Sequence, residues 1–389
     1  MFSIENFYYT LYHHLLKPIG LRDGMFTKFG SSNFTDFCLP RYATSNFQDG
    51  FTPPKENYCF YFDQEPLHYH NFDENFIGFG TSISCRILAN SEVSDLKKSI
   101  CKENCYQDWY YFFHGFAALD WFRDSKYFCQ DIEWNKPYIS LNRLHVNDRS
   151  YRLNLVARLA EQKLLVQGHV SLHLQQTEYG CWRKELDSID TKLSTAACQL
   201  IKKNLNDPLT LDKTNITGNM SADLGHKEFE LWKSGLWHLV TETIFYHHKL
   251  HLTEKIFKPI VSQRPFMLAA APGNLAYLKS YGFRTFDQWI DESYDKIQDH
   301  DCRLQAIVDQ TQRICAMSQR ELRQMHQDMQ SVLLHNFNHF FTDFKHQIVN
   351  ELVDNFECVV KLWNQGRVDG KELSLQNINF EHVKKILYQ

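Results

Sequence analysis

Short apolar segments alternate with longer amphipathic segments along most of this chain, and this alternation restricts the possible folds more than any other feature of the sequence. The apolar segments are too short for ordinary helices and predict strands at residues 58–62, 86–89, 108–113, 137–141, 237–245 and 264–271, with a small strand at 283–286. Residues 149–165 predict a helix, because apolar side chains recur there at helical spacing. Strands that alternate with helices usually pair in parallel, so the sequence predicts an α/β fold with parallel sheets.

At 389 residues, the chain is long enough for two domains of ordinary size. Residues 126–136 indicate a connection between them, so we place the first domain at residues 1–130 and the second at residues 131–300. Residues 301–389 are predicted to be mainly helical and to pack back on the preceding domains, with residues 364–389 as a polar ending at the surface.

Composition argues against several classes of protein. A net charge of −4 gives no whole-chain attraction to nucleic acid or to an anionic membrane. The eleven cysteines contain no CxxC pair, which favours reduced thiols over a disulfide framework or a zinc site. We also expect no signal peptide, and no run approaches the ~18 apolar residues of a membrane span. These features predict a cytoplasmic protein, in the host cytoplasm if the chain is viral.

The stretch 251–295 carries the strongest functional signal. It opens with Thr253, Glu254 and Lys255, and Thr253 is predicted to cap a helix. The first turn of a helix favours anions, and the ammonium group of Lys255 adds a full positive charge there. The carboxylate of Glu254 offers two acceptor oxygens, which suit a pair of vicinal hydroxyls. A diphosphate next to a ribose diol is the chemical shape of a nucleotide-sugar, and Pro259 predicts that the helix is short or kinked.

Polar residues follow two predicted strands in the first half of the chain. Asp63 and Glu65 come directly after residues 58–62, and Pro66 stiffens that loop. His114 comes directly after residues 108–113. In open α/β sheets, ligands bind at the carboxyl ends of the strands, so these three residues are candidates for contact with a ligand.

A second polar group follows strand 137–141. Asn142 and Arg143 come directly after this strand, and Arg149 and Arg152 begin the helix that follows. The loop and the start of the helix therefore carry three guanidinium groups. Glu242 lies within predicted strand 237–245.

Taken together, these motifs resemble nucleotide-sugar glycosyltransferases of the two-Rossmann-lobe (GT-B) architecture. The resemblance is nearest to the α1,3-fucosyltransferase type and closer still to related phage-encoded proteins. VTETIF at 240–245 and LTEKIF at 252–257 are similar to the donor motif of that family, and SLNRLHVNDRSYR at 140–152 is similar to its upstream Ser-Asn and Arg segment. DQEP at 63–66 and FIGFG at 76–80 are similar to its Glu-x-Pro loop and the strand after it. Glu242 is followed by Thr243, where the family has Asn.

The resemblance implies a role for each matching residue. The first domain becomes the acceptor-side lobe, with Glu65 as general base, Asp63 as its nearest rival, and His114 as a residue that orients the acceptor. The second domain becomes the donor lobe. Its implied donor-binding residues are Asn142, Arg143, Arg149, Arg152, Glu242, Thr253, Glu254 and Lys255. The resemblance implies that one of the three arginines contacts phosphate, and Arg143 is favoured because it lies immediately past the strand. A solvated helix face is the alternative for Arg149 and Arg152.

The implied reaction is an inverting transfer of a sugar from a GDP- or UDP-sugar to a hydroxyl acceptor. In this reaction, Lys255 and an arginine stabilise the departing nucleoside diphosphate. These cations take over the role of a metal, so we expect no metal and no cofactor beyond the nucleotide-sugar substrate.

Two other functions compete with transfer to a glycan or a small molecule. In the first, the acceptor is a hydroxylated DNA base, and binding of the DNA requires a basic groove near the site. Alternatively, the chain is a non-catalytic module that binds a sugar or a protein on the same fold. For Glu254 and Lys255, the simpler interpretation is an exposed first helical turn, and for Glu65 it is a loop carboxylate bonded to nearby backbone.

Metal sites are not expected from the remaining motifs. His68, His70, His247 and His248 lack a companion carboxylate at ligand spacing along the sequence. Asp299-His300-Asp301 has the form of a metal-binding DxD motif, but it does not end an apolar strand. Helix capping by Asp299 is therefore the favoured interpretation.

Overall fold

The architecture is described from a computed structural model. The structure describes residues 3–20, 22–23, 58–70, 86–103, 107–128, 131, 133–142, 145, 147–172, 199, 226–366 and 372–388. The chain divides into two compact units, of which unit 1 contains residues 1–120 and 343–389 and unit 2 contains residues 121–342.

Most strands are short, as the sequence predicts. In chain order they are β1 (Arg22–Asp23), β2 (Tyr58–Phe62), β3 (Arg86–Asn90), β4 (Val93–Ser94), β5 (Gln107–Tyr110), β6 (Lys136–Ser140), β7 (His169–Val170), β8 (Gly235–Thr241), β9 (Lys249–Leu250) and β10 (Phe266–Ala269).

Helices separate most of the strands and dominate the last part of the chain. They are α1 (Ile4–Leu11), α2 (Asp95–Glu103), α3 (Phe113–Trp121), α4 (Tyr151–Glu161), α5 (His226–Ser234), α6 (Phe257–Val261), α7 (Asn274–Ser280), α8 (His300–Ala316), α9 (Gln319–Asp328), α10 (Gln330–Phe341), α11 (Asp343–Gly366) and α12 (Phe380–Tyr388). The predicted α/β class with parallel sheets and a helical C-terminal region is confirmed.

In unit 1, the described strands form a parallel sheet in the order β1-β2-β3-β5. The long helix α11 packs against its edge strand β5. The indole Nε1 of Trp109 donates to the carbonyl of Leu352 at 3.1 Å, and the Asn355 amide donates to the carbonyl of Tyr110 at 2.9 Å. The chain thus returns after residue 342 to complete the core around β5.

In unit 2, the described strands form a parallel sheet in the order β10-β8-β6-β7. The chain runs from β6 to β7 on one side and later places β8 on the other side of β6. This reversal makes the β6–β8 pair a topological switch point. Ligands in open α/β sheets bind beside the carboxyl ends of the two strands at such a point.

Several predicted elements differ from the structure. Strand 237–245 ends at Thr241, so Glu242 follows the strand instead of lying inside it. Strand 108–113 ends at Tyr110, and His114 lies in the first turn of α3. Residues 364–389 were expected to be a polar surface ending, but Phe380–Tyr388 is helical with Val383 and Leu387 buried.

A small strand was also predicted at residues 283–286, and none forms there. The backbone N–H groups in this segment pair with side chains instead of a neighbouring strand. Arg284 donates to Asn336, and Phe286 donates to Glu292. The Phe286 ring then packs edge-on against Trp237 in the core, which explains the apolar pattern without a strand.

Among the described residues, no helix combines the length and apolar character needed to cross a membrane.

Candidate functional site

The carboxyl ends of β6 and β8 are joined by the side chain of Asn142. Its carbonyl oxygen accepts a hydrogen bond from Thr241 Oγ1 at 3.0 Å, and its amide donates to Ser140 Oγ and to the carbonyl of Ser171. Asn142 is fully buried. It therefore ties together the ends of β6, β7 and β8 and does not face a ligand.

Arg152 also supports the end of β8. Its Nη2 atom donates to the carbonyls of Thr241 and Glu242, both at 2.9 Å, and the residue is only 3% exposed. Tyr151, next to it, donates its hydroxyl to the carbonyl of Glu242 at 2.6 Å. The guanidinium group of Arg152 therefore holds the carboxyl end of β8 in place. This role differs from the phosphate contact suggested by the sequence.

Arg149 and Arg143 are the two other arginines that the sequence suggested as phosphate ligands. Arg149 is half-buried and ends the short 3₁₀ turn Asn147–Arg149 that precedes α4. Arg143 lies outside the described residues.

Glu242 links the end of β8 to the segment that begins at Thr253. Its Oε1 atom accepts from the backbone N–H of Thr253 at 3.2 Å. Its Oε2 atom accepts from the Thr253 hydroxyl at 2.5 Å and from the backbone N–H of Thr243 at 3.2 Å. The side chain is fully buried and acts as a brace within the chain.

Thr253 caps the next turn, as predicted. Its side chain accepts from the backbone N–H of Lys255, and the chain then forms the 3₁₀ turn Glu254–Ile256 followed by α6. Pro259 has no N–H to donate, and α6 ends two residues later at Val261. Ile256, Phe257, Ile260 and Val261 are all buried, which anchors this short helix to the core of unit 2.

Lys255 and Glu254 form an ion pair at this edge, with Nζ and Oε1 3.2 Å apart. The Lys255 ammonium also donates to the hydroxyls of Thr253 at 2.9 Å and Thr243 at 3.4 Å. Its side chain is 28% exposed and that of Glu254 is 11% exposed. The structure therefore brings Glu242, Thr253, Glu254 and Lys255 together directly past the carboxyl end of β8.

Loops that follow β6 and β8 are also in contact. The Ser150 hydroxyl lies 3.1 Å from that of Tyr246, and His247 Nε2 lies 3.2 Å from an oxygen of Asp148. His247 thus has a carboxylate partner, contrary to the expectation from sequence spacing. The two residues are about one hundred positions apart, so spacing along the chain does not reveal the pair.

Asp63, in unit 1, is 1% exposed and directly follows β2. One carboxylate oxygen accepts from the Tyr8 hydroxyl at 2.9 Å, and the other accepts from the Tyr111 hydroxyl. Burial raises the pKa of Asp63 to about 6, while the two phenol hydrogen bonds partly oppose this rise. A buried carboxylate with both oxygens engaged is poorly placed to take a proton from an acceptor.

The remainder of the loop after β2 is held from several sides. The Gln64 amide donates to the Tyr8 hydroxyl at 3.1 Å, and His114 Nε2 lies 2.8 Å from the Gln64 carbonyl. The N–H of Leu67 donates to a buried oxygen of Glu92 at 3.0 Å. Glu65 is partly exposed, between these anchored residues. His114 is only 7% exposed, and its contact with the Gln64 carbonyl supports the loop backbone.

Asp299 caps α8, as the sequence analysis favoured. Its carboxylate accepts from the backbone N–H of Cys302 at 2.8 Å. This bond lowers the pKa of Asp299 because it stabilises the ionised form.

Comparisons with known proteins give no family for this chain. No family model matches it, and searches of the curated proteins and of the solved structures found no match either.

Sequence reasoning missed three supporting residues, namely Thr243, Tyr8 and Tyr111. Thr243 differs from the Asn of the resembling family, and its hydroxyl nevertheless lies within 3.4 Å of the Lys255 ammonium. Tyr8 lies 55 positions before Asp63, and nothing in the local sequence marks their contact.

Proposed function

We propose that this protein is a nucleotide-sugar glycosyltransferase whose donor site lies at the carboxyl edge of the unit 2 sheet. The observation that carries the proposal is the Glu254–Lys255 pair, whose ammonium is held by Thr243 and Thr253 near the carboxyl end of β8, one of the two strands at the switch point. Phosphorylated ligands of open α/β sheets bind at this type of position.

The chemistry of the two side chains supports the same donor class. A partly exposed ammonium group at the start of a helical segment attracts a diphosphate and stabilises the charge that develops on the leaving group. The neighbouring carboxylate is an acceptor for the two hydroxyls of a ribose. Their combination suits a nucleoside diphosphate better than an isolated phosphate or an uncharged sugar.

Glu65 is the proposed general base. Asp63 is fully engaged with two phenols, whereas Glu65 is partly exposed on a loop held by Tyr8, His114 and Glu92. In the proposed reaction, the carboxylate of Glu65 takes the proton of the acceptor hydroxyl as its oxygen attacks the anomeric carbon, and the nucleoside diphosphate leaves on the opposite side. The proposal includes the two-lobe (GT-B) arrangement for the two units.

The proposal is tested by donor turnover, because many acceptors can be replaced by water in such an assay. Release of nucleoside diphosphate from GDP- and UDP-hexoses is measured for the wild type, Glu65→Gln, Lys255→Ala and Lys258→Ala. Lys258 is a matched control, since it lies three residues after Lys255 and its ammonium instead contacts the ring of Trp232, which precedes β8.

We expect turnover to fall about 100-fold or more in Glu65→Gln, as for loss of a general base, with nucleotide binding retained. Lys255→Ala loses both turnover and binding, and Lys258→Ala retains both. If Glu65→Gln and Lys255→Ala both turn over the donor at the wild-type rate, the proposal is contradicted.

A further inference from the structure

We infer that Glu242 is a positioning residue that sets the place of the Lys255 ammonium through two threonine hydroxyls, without touching the donor itself. The inference rests on the proposed function for its consequence on diphosphate binding, but the positioning can be tested without any ligand. Glu242 is fully buried, and the described hydrogen bonds of its carboxylate all come from Thr243 and Thr253.

Those two residues also supply the hydroxyls that hold Lys255. The Lys255 ammonium donates to Thr253 Oγ1 at 2.9 Å and to Thr243 Oγ1 at 3.4 Å. Glu242 accepts the backbone N–H of both threonines, so one carboxylate fixes both supports of the ammonium. Its removal is therefore expected to affect Lys255 even though the two side chains are not in direct contact.

The Thr253 hydroxyl provides the more direct link. It has one hydrogen, which it donates to Glu242 Oε2, so its lone pairs are left to face Lys255. A hydroxyl that donates to a carboxylate is a stronger acceptor, because hydrogen bonds in a chain polarise one another. A chain of hydrogen bonds thus runs from the buried carboxylate of Glu242 through the Thr253 hydroxyl to the partly exposed ammonium of Lys255.

The ammonium is fully coordinated by this arrangement and by Glu254. An ammonium group has three N–H donors, and they go to Thr253, Thr243 and Glu254. The contacts with Thr243 and Glu254, at 3.4 and 3.2 Å, are longer than the one with Thr253. A diphosphate can therefore replace either of these two weaker partners while Thr253 continues to hold the ammonium in position.

Glu242→Gln is the sharpest substitution, because it preserves shape. Both oxygens of Glu242 accept hydrogen bonds, and an amide group places a donor where one of these acceptors stood, whichever way it is turned. Thr253→Val removes the hydroxyl with little change in volume, whereas Thr253→Ser keeps the hydroxyl and removes only the methyl group.

The first measurement is the rate at which acetic anhydride labels Lys255, determined by mass spectrometry relative to Lys258 in the same molecule. Loss of a hydrogen bond to a charged group corresponds to roughly a tenfold increase in the fraction of time that the Lys255 amine is open to the reagent. We expect Glu242→Gln and Thr253→Val to raise the Lys255 to Lys258 ratio about tenfold, and Thr253→Ser to bring it back toward the wild-type value. Melting curves and circular dichroism are the controls that test whether each variant is folded.

The second measurement is the affinity for inorganic pyrophosphate, a probe that does not depend on the identity of the base. We expect Glu242→Gln to weaken it about tenfold. An unchanged labelling ratio in folded Glu242→Gln and Thr253→Val would overturn the inference, as would unchanged pyrophosphate affinity in both. A wild type that binds neither pyrophosphate nor nucleoside diphosphates would overturn the proposed function, and the labelling ratio would still decide the positioning.

Discussion

Asp63 shows how a single buried carboxylate makes stability depend on pH. Its pKa in the folded protein is about 6, above its ordinary value of 3.8, because burial disfavours the charged form. The folded state therefore holds the proton more tightly than the unfolded state. The stabilisation from this group is fully present below about pH 4 and is lost as pH rises through about 6.

Replacement of Asp63 by Asn removes this dependence. The difference between 3.8 and about 6 corresponds to about 3 kcal/mol, so wild type should lose up to that amount relative to Asp63→Asn between pH 4 and pH 7.5. Urea denaturation of both proteins across this range measures the difference. Asp95→Asn is the control, because Asp95 is almost fully exposed and its ion pair among the described residues is with the exposed Lys98. Parallel pH profiles for wild type and Asp63→Asn would show that the carboxylate does not titrate in this window.

At the scale of single residues, sequence reasoning worked where the cause is local. The Thr253 and Asp299 caps were predicted correctly, because a cap requires only a suitable side chain before a helical turn. The partners of Asp63 and Arg152 were not predicted, since Tyr8 and the end of β8 are brought to them by the fold. Hence Arg152 was predicted as a phosphate ligand, although it supports strand carbonyls.

At the scale of elements, the pairing of β6 with β8 determines the switch point, and Gly235 allows these strands to approach. A Cβ atom at Gly235 would lie 2.6 Å from the Cβ of Ile139 and 2.9 Å from its backbone nitrogen. Strand β6 cannot yield easily, because it lies between β7 and β8. The glycine is thus needed for close contact and not for an unusual backbone angle.

Gly235→Ala should lower the free energy of unfolding by about 1–3 kcal/mol through overpacking. Gly20→Ala is a useful comparison, since no atom of the described residues lies within 4 Å of a Cβ there, whereas its positive φ of 74° opposes the change. That backbone cost is about 1–2 kcal/mol. Chemical denaturation of both variants measures the two losses. A smaller loss for Gly235→Ala in an Ile139→Gly background, which lacks the clashing Cβ and Cγ2 atoms, would identify the clash as the cause. A Gly235→Ala protein as stable as wild type would contradict the close contact.

Strand positions were predicted better than strand ends. Residues 58–62 matched β2 because their apolar run is bounded by polar residues on both sides. Residues 237–245 were predicted to be one strand, yet β8 ends at Thr241, since the chain must turn for Glu242 to reach Thr253. Buried apolar residues such as Ile244 and Phe245 continue past the strand, so hydrophobicity alone does not mark its end.

At the scale of the whole molecule, unit 1 is built from two separate parts of the chain. Residues 343–389 join residues 1–120, and unit 2 is the continuous segment between them. Sequence reasoning predicted helices after residue 300 but gave no basis for dividing them at residue 342. The contact between Trp109 and Leu352 spans 243 positions, and no local pattern specifies it.

We propose that Lys255 and Glu254 bind the diphosphate and ribose of a nucleotide. Calorimetric titration of the full chain with GDP and UDP is the decisive measurement, with Lys255→Ala and the matched control Lys258→Ala. We predict that wild type and Lys258→Ala bind at least one of these nucleotides, and that Lys255→Ala binds it at least about tenfold more weakly, as expected for the loss of a charged contact. Equal affinity in Lys255→Ala, or no binding of either nucleotide to the folded wild type, would contradict the account.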